Sequence, residues 1–219
     1  MNHLLRYTSV IIMAVCLGFF SAAQPVVKPL KFSNGLQQKV ENKAAAKQGE
    51  LLGKILISGA RYFRSITGKS MEAKSTKMDE HVTMHQELFF TNMEWPGNED
   101  AMIQVNKTLY KNVPSYETYE LRFVFYPDSK PDSARQMFRN IYESINGSIV
   151  LAGGGKAILV NQPFIPVAAD GNNRLTGEIQ FSQFYKETGI NVKLQLISEL
   201  NMFYTITLSF SKPRMHNSD

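Results

Sequence analysis

The chain has 219 residues, 43% hydrophobic and 20% charged, with 24 basic against 19 acidic side chains and a single cysteine. That length suits one sizeable domain, or a domain with an arm. A lone cysteine excludes a disulfide-stapled fold, so a packed core must hold the domain together.

The first 23 residues read as a secretory signal: Arg6 in a short polar start, an apolar run from Val10 to Phe20, then Ser21-Ala22-Ala23 as a cleavage site. The run is shorter than the roughly 20 residues a membrane span needs. Cys16 sits inside it behind a bulky Val15, which argues against lipid attachment. Cleavage after Ala23 leaves a cysteine-free chain, with no thiol nucleophile. The expected location is the periplasm of a Gram-negative bacterium, or outside the cell.

Residues 24–33 carry two prolines and read as an extended leader. Residues 35–66 read as helical, in one or two pieces with a break near Gln48-Gly49. Leu51, Leu52, Ile55, Leu56, Ala60, Phe63 and Ile66 keep the spacing of a helix face. Gly53 and Gly59 each weaken that helix by about 1 kcal/mol. Residues 70–80 are polar and read as a linker. The period then changes to two. Val82, Met84, Leu88 and Phe90 share one strand face, as do Ala101, Ile103, Val105 and Leu109, and Tyr119, Leu121, Phe123 and Phe125.

Pro131-Asp132-Ser133 opens a helix whose stripe is Ala134, Met137, Phe138, Ile141, Tyr142 and Ile145, and Asn146-Gly147 closes it. Apolar triplets around Gly153-Gly154-Gly155 read as a hairpin. Alternation over residues 192–196 and 202–210 reads as an antiparallel meander with one buried face. The expected fold is α+β: a mainly antiparallel sheet of about six to seven strands, covered on one face by the helix at 131–146 and preceded by an amphipathic helical arm. In domain terms this gives a signal (1–23), a basic helical arm (24–69), a linker (70–80), an α+β domain (81–213) and a polar tail (214–219).

Charge is uneven. Residues 24–69 hold nine basic and two acidic side chains, net +7, whereas residues 70–219 hold 14 basic and 17 acidic ones, net −3. Lys39, Lys43, Lys47, Lys54, Arg61 and Arg64 are therefore candidate contacts for an anionic membrane or envelope surface or a protein partner, with nucleic acid ranked lower. The plainer reading is a helix that covers the sheet with its lysines in solvent.

Other chemical signals are weaker. His81, Met84 and His85 would share a metal if helical, with the thioether suiting a soft ion. On a strand the two histidines lie about 13 Å apart. Gly154-Gly155-Lys156-Ala157 lacks the Ser or Thr and the upstream glycine of a phosphate loop. No Gly-x-Ser-x-Gly elbow exists. Glu117 and Glu120, a conceivable carboxylate pair for glycoside hydrolysis, are three apart on an alternating strand and so face opposite sides. Trp95 precedes Pro96-Gly97 and is a candidate ligand-stacking ring at a turn, although an aromatic capping the core edge is the commoner case. No cofactor is indicated. The expected function is a non-catalytic exported binding module or envelope accessory. A hydrolase acting on an envelope or host polymer, and periplasmic metal binding by His81, Met84 and His85, are the alternatives.

Overall fold

The computed structural model describes residues 48–151, 157–169, 174–199 and 203–216. The expected signal and leader, Lys39, Lys43, Lys47 and the Gly153–Gly155 turn lie outside the described residues.

The described part of the first helix, α1, covers residues 48–60. Leu52, Ile55 and Leu56 recur at helical spacing and are buried in the core. Gly49 and Gly53 lie against a strand backbone: a Cβ on Gly49 would stand 2.7 Å from the carbonyl oxygen of Ile149, and one on Gly53 3.2 Å from that of Leu151. The glycines that weaken the isolated helix thus allow its close approach to the strand at Ile149–Leu151. The helix stops short of residue 66 because Tyr62 and Phe63 both take φ = +56°. That left-handed conformation costs about 1 kcal/mol per residue. Complete burial of the Phe63 ring offsets it, since such burial contributes about 1.5–3 kcal/mol. Arg64–Ile66 add a single 3-10 turn.

The remaining elements follow in chain order: β1 (Thr67–Lys77), β2 (Val82–Thr91), β3 (Asp100–Tyr110), β4 (Val113–Phe125), α2 (Pro131–Ile145), β5 (Ile149–Leu151), β6 (Ala157–Leu159), β7 (Ala168–Ala169), β8 (Leu175–Gln180), α3 (Ser182–Thr188), β9 (Asn191–Glu199) and β10 (Phe203–Met215). The fold is α+β. Eight strands form one antiparallel sheet in the order β1-β2-β3-β4-β10-β9-β8-β7, and β5 and β6 pair separately. Helix α2 buries Ala134, Phe138, Ile141, Tyr142 and Ile145 and packs on β9 and β10. Its end is set by the Asn146 N–H donating to the Tyr142 carbonyl and by Gly147 at φ = +79°.

The structure differs from expectation over residues 48–80. Residues 48–63 belong to the core rather than to a separate arm, and most of the expected linker is β1. This strand has no apolar alternation because, beyond Thr67, both of its faces are exposed. Backbone pairing to β2 defines it instead, from Thr67 opposite Thr91 to Lys77 opposite Thr83.

Strand β2 keeps the expected alternation, and its pairing shows which way each face points. Its Phe89 pairs with Ile103 and its Leu88 with Gln104. Ile103 is fully buried, so the stripe Val82, Met84, Leu88 and Phe90 lies on the opposite, open face of the sheet. Thr83, His85, Glu87 and Phe89 point to the helix side. No helix among the described residues is long and apolar enough to cross a membrane.

Candidate binding cleft

On the helix side of the sheet the core gives way abruptly to polar groups. Phe89, Ile103, Leu121, Phe210 and Val192 form one cross-strand row. Two positions further out, Glu87, Val105, Tyr119 and Lys212 form the next row, followed by Ser75, His85, Lys107, Glu117 and Arg214. Adjacent strands are about 4.8 Å apart, so this outermost row extends for roughly 19 Å.

The turn that ends α1 forms the wall above this polar shelf. Arg61, Tyr62, Arg64 and Ser65 face Arg214 across a cleft of about 640 Å³. A second cavity of about 370 Å³ shares Tyr62 and Arg64 and continues over Glu87, Lys107 and Tyr119. The Tyr62 ring is held on both sides: the Tyr119 ring centroid is 5.0 Å away, and the Arg214 guanidinium lies 5.5 Å from its own centroid. The left-handed backbone at Tyr62 and Phe63 makes this possible, because it buries one ring and turns its neighbour out over β4. Strained non-glycine residues of this kind cluster at functional sites.

Glu117 anchors the floor and is only 7% exposed. The Tyr119 hydroxyl donates to its Oε2 at 2.7 Å. His216 Nε2 lies 3.3 Å and Arg214 Nη1 3.9 Å from the same oxygen. Burial alone would raise the Glu117 carboxyl, but the Tyr119 bond, the adjacent His216 and the Arg214 charge outweigh it and hold the group below its ordinary value. Burial, together with the bond to the Glu117 anion, pushes the Tyr119 phenol above its ordinary value. Glu117 is therefore a committed anion that orients Tyr119 and Arg214. Neither Arg61 nor Arg64 has an acidic partner among the described residues. A guanidinium offers paired N–H donors suited to carboxylate, phosphate or sulfate oxygens. Arg61 and Arg64 thus present donors with no acidic partner among the described residues.

Of the residues singled out from sequence, Arg61 and Arg64 line this cleft. Lys54 points away into solvent and pairs with Glu50 at 2.8 Å. Trp95 is not a stacking platform: it is 2% exposed and packs against Phe123 and Phe210 at 5.8 and 6.2 Å. The indole folds inward at the Pro96-Gly97 turn, which is closed by the Trp95 backbone N–H donating to the Asn98 side-chain oxygen at 2.8 Å. His81, Met84 and His85 do not converge. His81 precedes β2 and meets the Tyr110 ring edge-on, His85 shares a hydrogen bond with Ser75 on the helix side, and Met84 sits on the open face. Among the described residues no group of three His, Cys, Asp or Glu could hold a metal ion. Glu120 pairs with Arg122 on the open face, away from Glu117.

Sequence reasoning missed Tyr62, Tyr119 and Arg214 as site residues and placed Arg214 and His216 in a polar tail. Arg214 and Met215 instead complete β10, and the His216 N–H donates to the Ser115 carbonyl at 3.2 Å. The available signal was the alternation itself: carried outward from Leu121 it puts Tyr119 and Glu117 on the core side. Comparison with protein-family models, with curated proteins and with solved structures returns no match for this chain.

Proposed function

We propose that this is an exported, non-catalytic binding protein whose ligand presents an anionic group to Arg61, Arg64 and Arg214. The observation that carries the reading is the cleft itself, in which two guanidinium groups without acidic partners stand beside a third fixed by Glu117. Export rests on the charged, apolar and small-residue order of residues 1–23. The ligand is a phosphorylated, sulfated or carboxylated molecule, on a partner protein or on an envelope polymer. Glu120 faces the other side of the sheet from Glu117, His85 stands two strands away in the same row, and His216 serves Glu117 as a partner at 3.3 Å, an arrangement that supports binding rather than hydrolysis.

An NMR titration with inorganic phosphate tests the reading. The expected result is saturable shifts at the backbone amides of Tyr62, Arg64 and Ser65. These shifts weaken as sodium chloride rises and are lost in an Arg61→Gln, Arg64→Gln variant. Absence of shifts at these amides in the wild type removes the cleft as an anion site.

A further inference from the structure

We propose that the ligand of the cleft carries its anionic group on an aromatic ring, and that this ring occupies the second cavity, over β2, β3 and β4. The inference rests on the anion site proposed above and adds what the anion is attached to. An oxyanion has roughly the bulk of two or three waters, at about 30 Å³ each. The two cavities enclose about 640 and 370 Å³, so most of the space belongs to the rest of the ligand.

Arg64 and Tyr62 line both cavities. An anion held at Arg64 therefore stands at their junction, and the two sides of that junction differ. Toward β10 stand two further cations, Arg61 and Arg214. Toward β2 the wall is Phe89, Val105 and the rings of Tyr62 and Tyr119. Polar side chains on this second side are engaged within the protein. Thr67 Oγ1 donates to the Phe63 carbonyl at 2.9 Å, the Tyr119 hydroxyl donates to Glu117 at 2.7 Å, and Lys107 pairs with Glu87 at 3.4 Å.

This asymmetry sets the chemistry of the ligand. A polar group placed over Val105 and Phe89 would lose water without gaining a partner. An apolar group gains in proportion to the area it removes from water. Tyr62, Tyr119 and Phe89 are aromatic, and offset or edge-to-face ring contacts add to area burial. A flat ring joined to an oxyanion thus matches the second cavity and the arginines together, whereas a sugar phosphate matches the arginines alone.

NMR titrations with phenyl phosphate and methyl phosphate, two monoesters with the same oxyanion, test the proposal. Phenyl phosphate is expected to bind about tenfold or more tightly, a gain that needs only about 55 Å² of apolar surface removed from water. Methyl phosphate should shift the amides of Tyr62, Arg64 and Ser65, and phenyl phosphate those of Phe89 and Val105 as well. Nuclear Overhauser contacts should join the ligand's ring protons to the Val105 methyls. Phe89→Leu keeps the cavity apolar but removes a ring, and should narrow the preference for phenyl phosphate by about threefold. N-acetyl-O-phosphotyrosine amide separates two sources of such a ring. Affinity at or above that of phenyl phosphate assigns it to a modified side chain of a partner protein, and lower affinity to a free aryl ester. Equal affinity for the two esters, shifts confined to the anion end, or a full preference in Phe89→Leu overturns the proposal and leaves the anion site standing. Failure of both esters to bind overturns the anion site and the proposal with it.

Discussion

The inner and outer ends of β4 and β10 are built on the same pair of strands but solve different problems. At the inner end Phe125, Phe123 and Leu121 pair with Ile206, Leu208 and Phe210, all buried beneath the helices. At the outer end Tyr119 and Glu117 pair with Lys212 and Arg214, and the helices no longer reach. The ladder is continuous, yet its chemistry changes within a single two-residue step. The layer above a sheet, rather than the sheet, decides which strand residues must be apolar. Where the layer stops, the same face is free to carry charge.

The largest expected effect lies at the inner end. Phe210→Ala removes a fully buried ring that meets Trp95 and Phe123, and chemical denaturation should show a loss of about 3–5 kcal/mol. A loss under about 1 kcal/mol would erase the distinction between the two ends. Gly49→Ala sharpens it from the helix side. An exposed helical glycine gains up to about 1 kcal/mol on becoming alanine. Here the new Cβ would meet the Ile149 carbonyl at 2.7 Å, so the expected result is destabilisation by about 1–3 kcal/mol. A rise in melting temperature would show that α1 does not press on β5.

At the outer end the expected effects are smaller and depend on pH. Glu117→Gln should cost about 1–3 kcal/mol at neutral pH, since it leaves Arg214 and Tyr119 without their anion. The folded-state carboxyl titrates below its ordinary value of 4.5. Its contribution is therefore complete above that value and is lost as the pH falls through the folded-state one. Melting curves of the wild type and the variant should converge on acidification, and a gap that persists unchanged in acid would break the account. The smallest effect belongs to β1: Lys74→Ala, exposed and without an ion pair among the described residues, should change stability by no more than about 0.5 kcal/mol.

What the sequence made legible follows the same division. Helix α2 was readable because one side of it is buried, and Pro131 and Gly147 mark its ends. Strands β3, β4, β9 and β10 were readable wherever alternate residues enter the core. Strand β1 was not, since no burial imprints a period on a strand exposed on both faces. In β2 the period was visible but did not say which face enters the core, because its larger apolar residues lie on the open face and only Phe89 turns inward. Trp95 was legible only as a choice between a stacking ring and an aromatic capping the core edge, the commoner case, because a turn motif says nothing of which way its ring folds. The cleft was half legible: Arg61 and Arg64 were selected for charge alone. Their meeting with Arg214 depends on the register of β4 against β10, which is set by three-dimensional pairing across most of the domain.

That central pairing also fixes an order of events. Strands β1 to β4 are a local meander, and β8 to β10 are a second, but β10 must enter between β4 and β9 to join them. Contacts of such long sequence separation form late, because the intervening chain must first be closed into a loop. Until β10 arrives, β4 carries an open edge next to an exposed row of Leu121, Phe123 and Phe125, the kind of surface on which incomplete chains aggregate. A chain truncated before residue 203 would keep the first four strands and lose their closing partner. Strand β10 is thus the keystone of the sheet, and a chain growing from its amino terminus has no joined sheet until β10 is present.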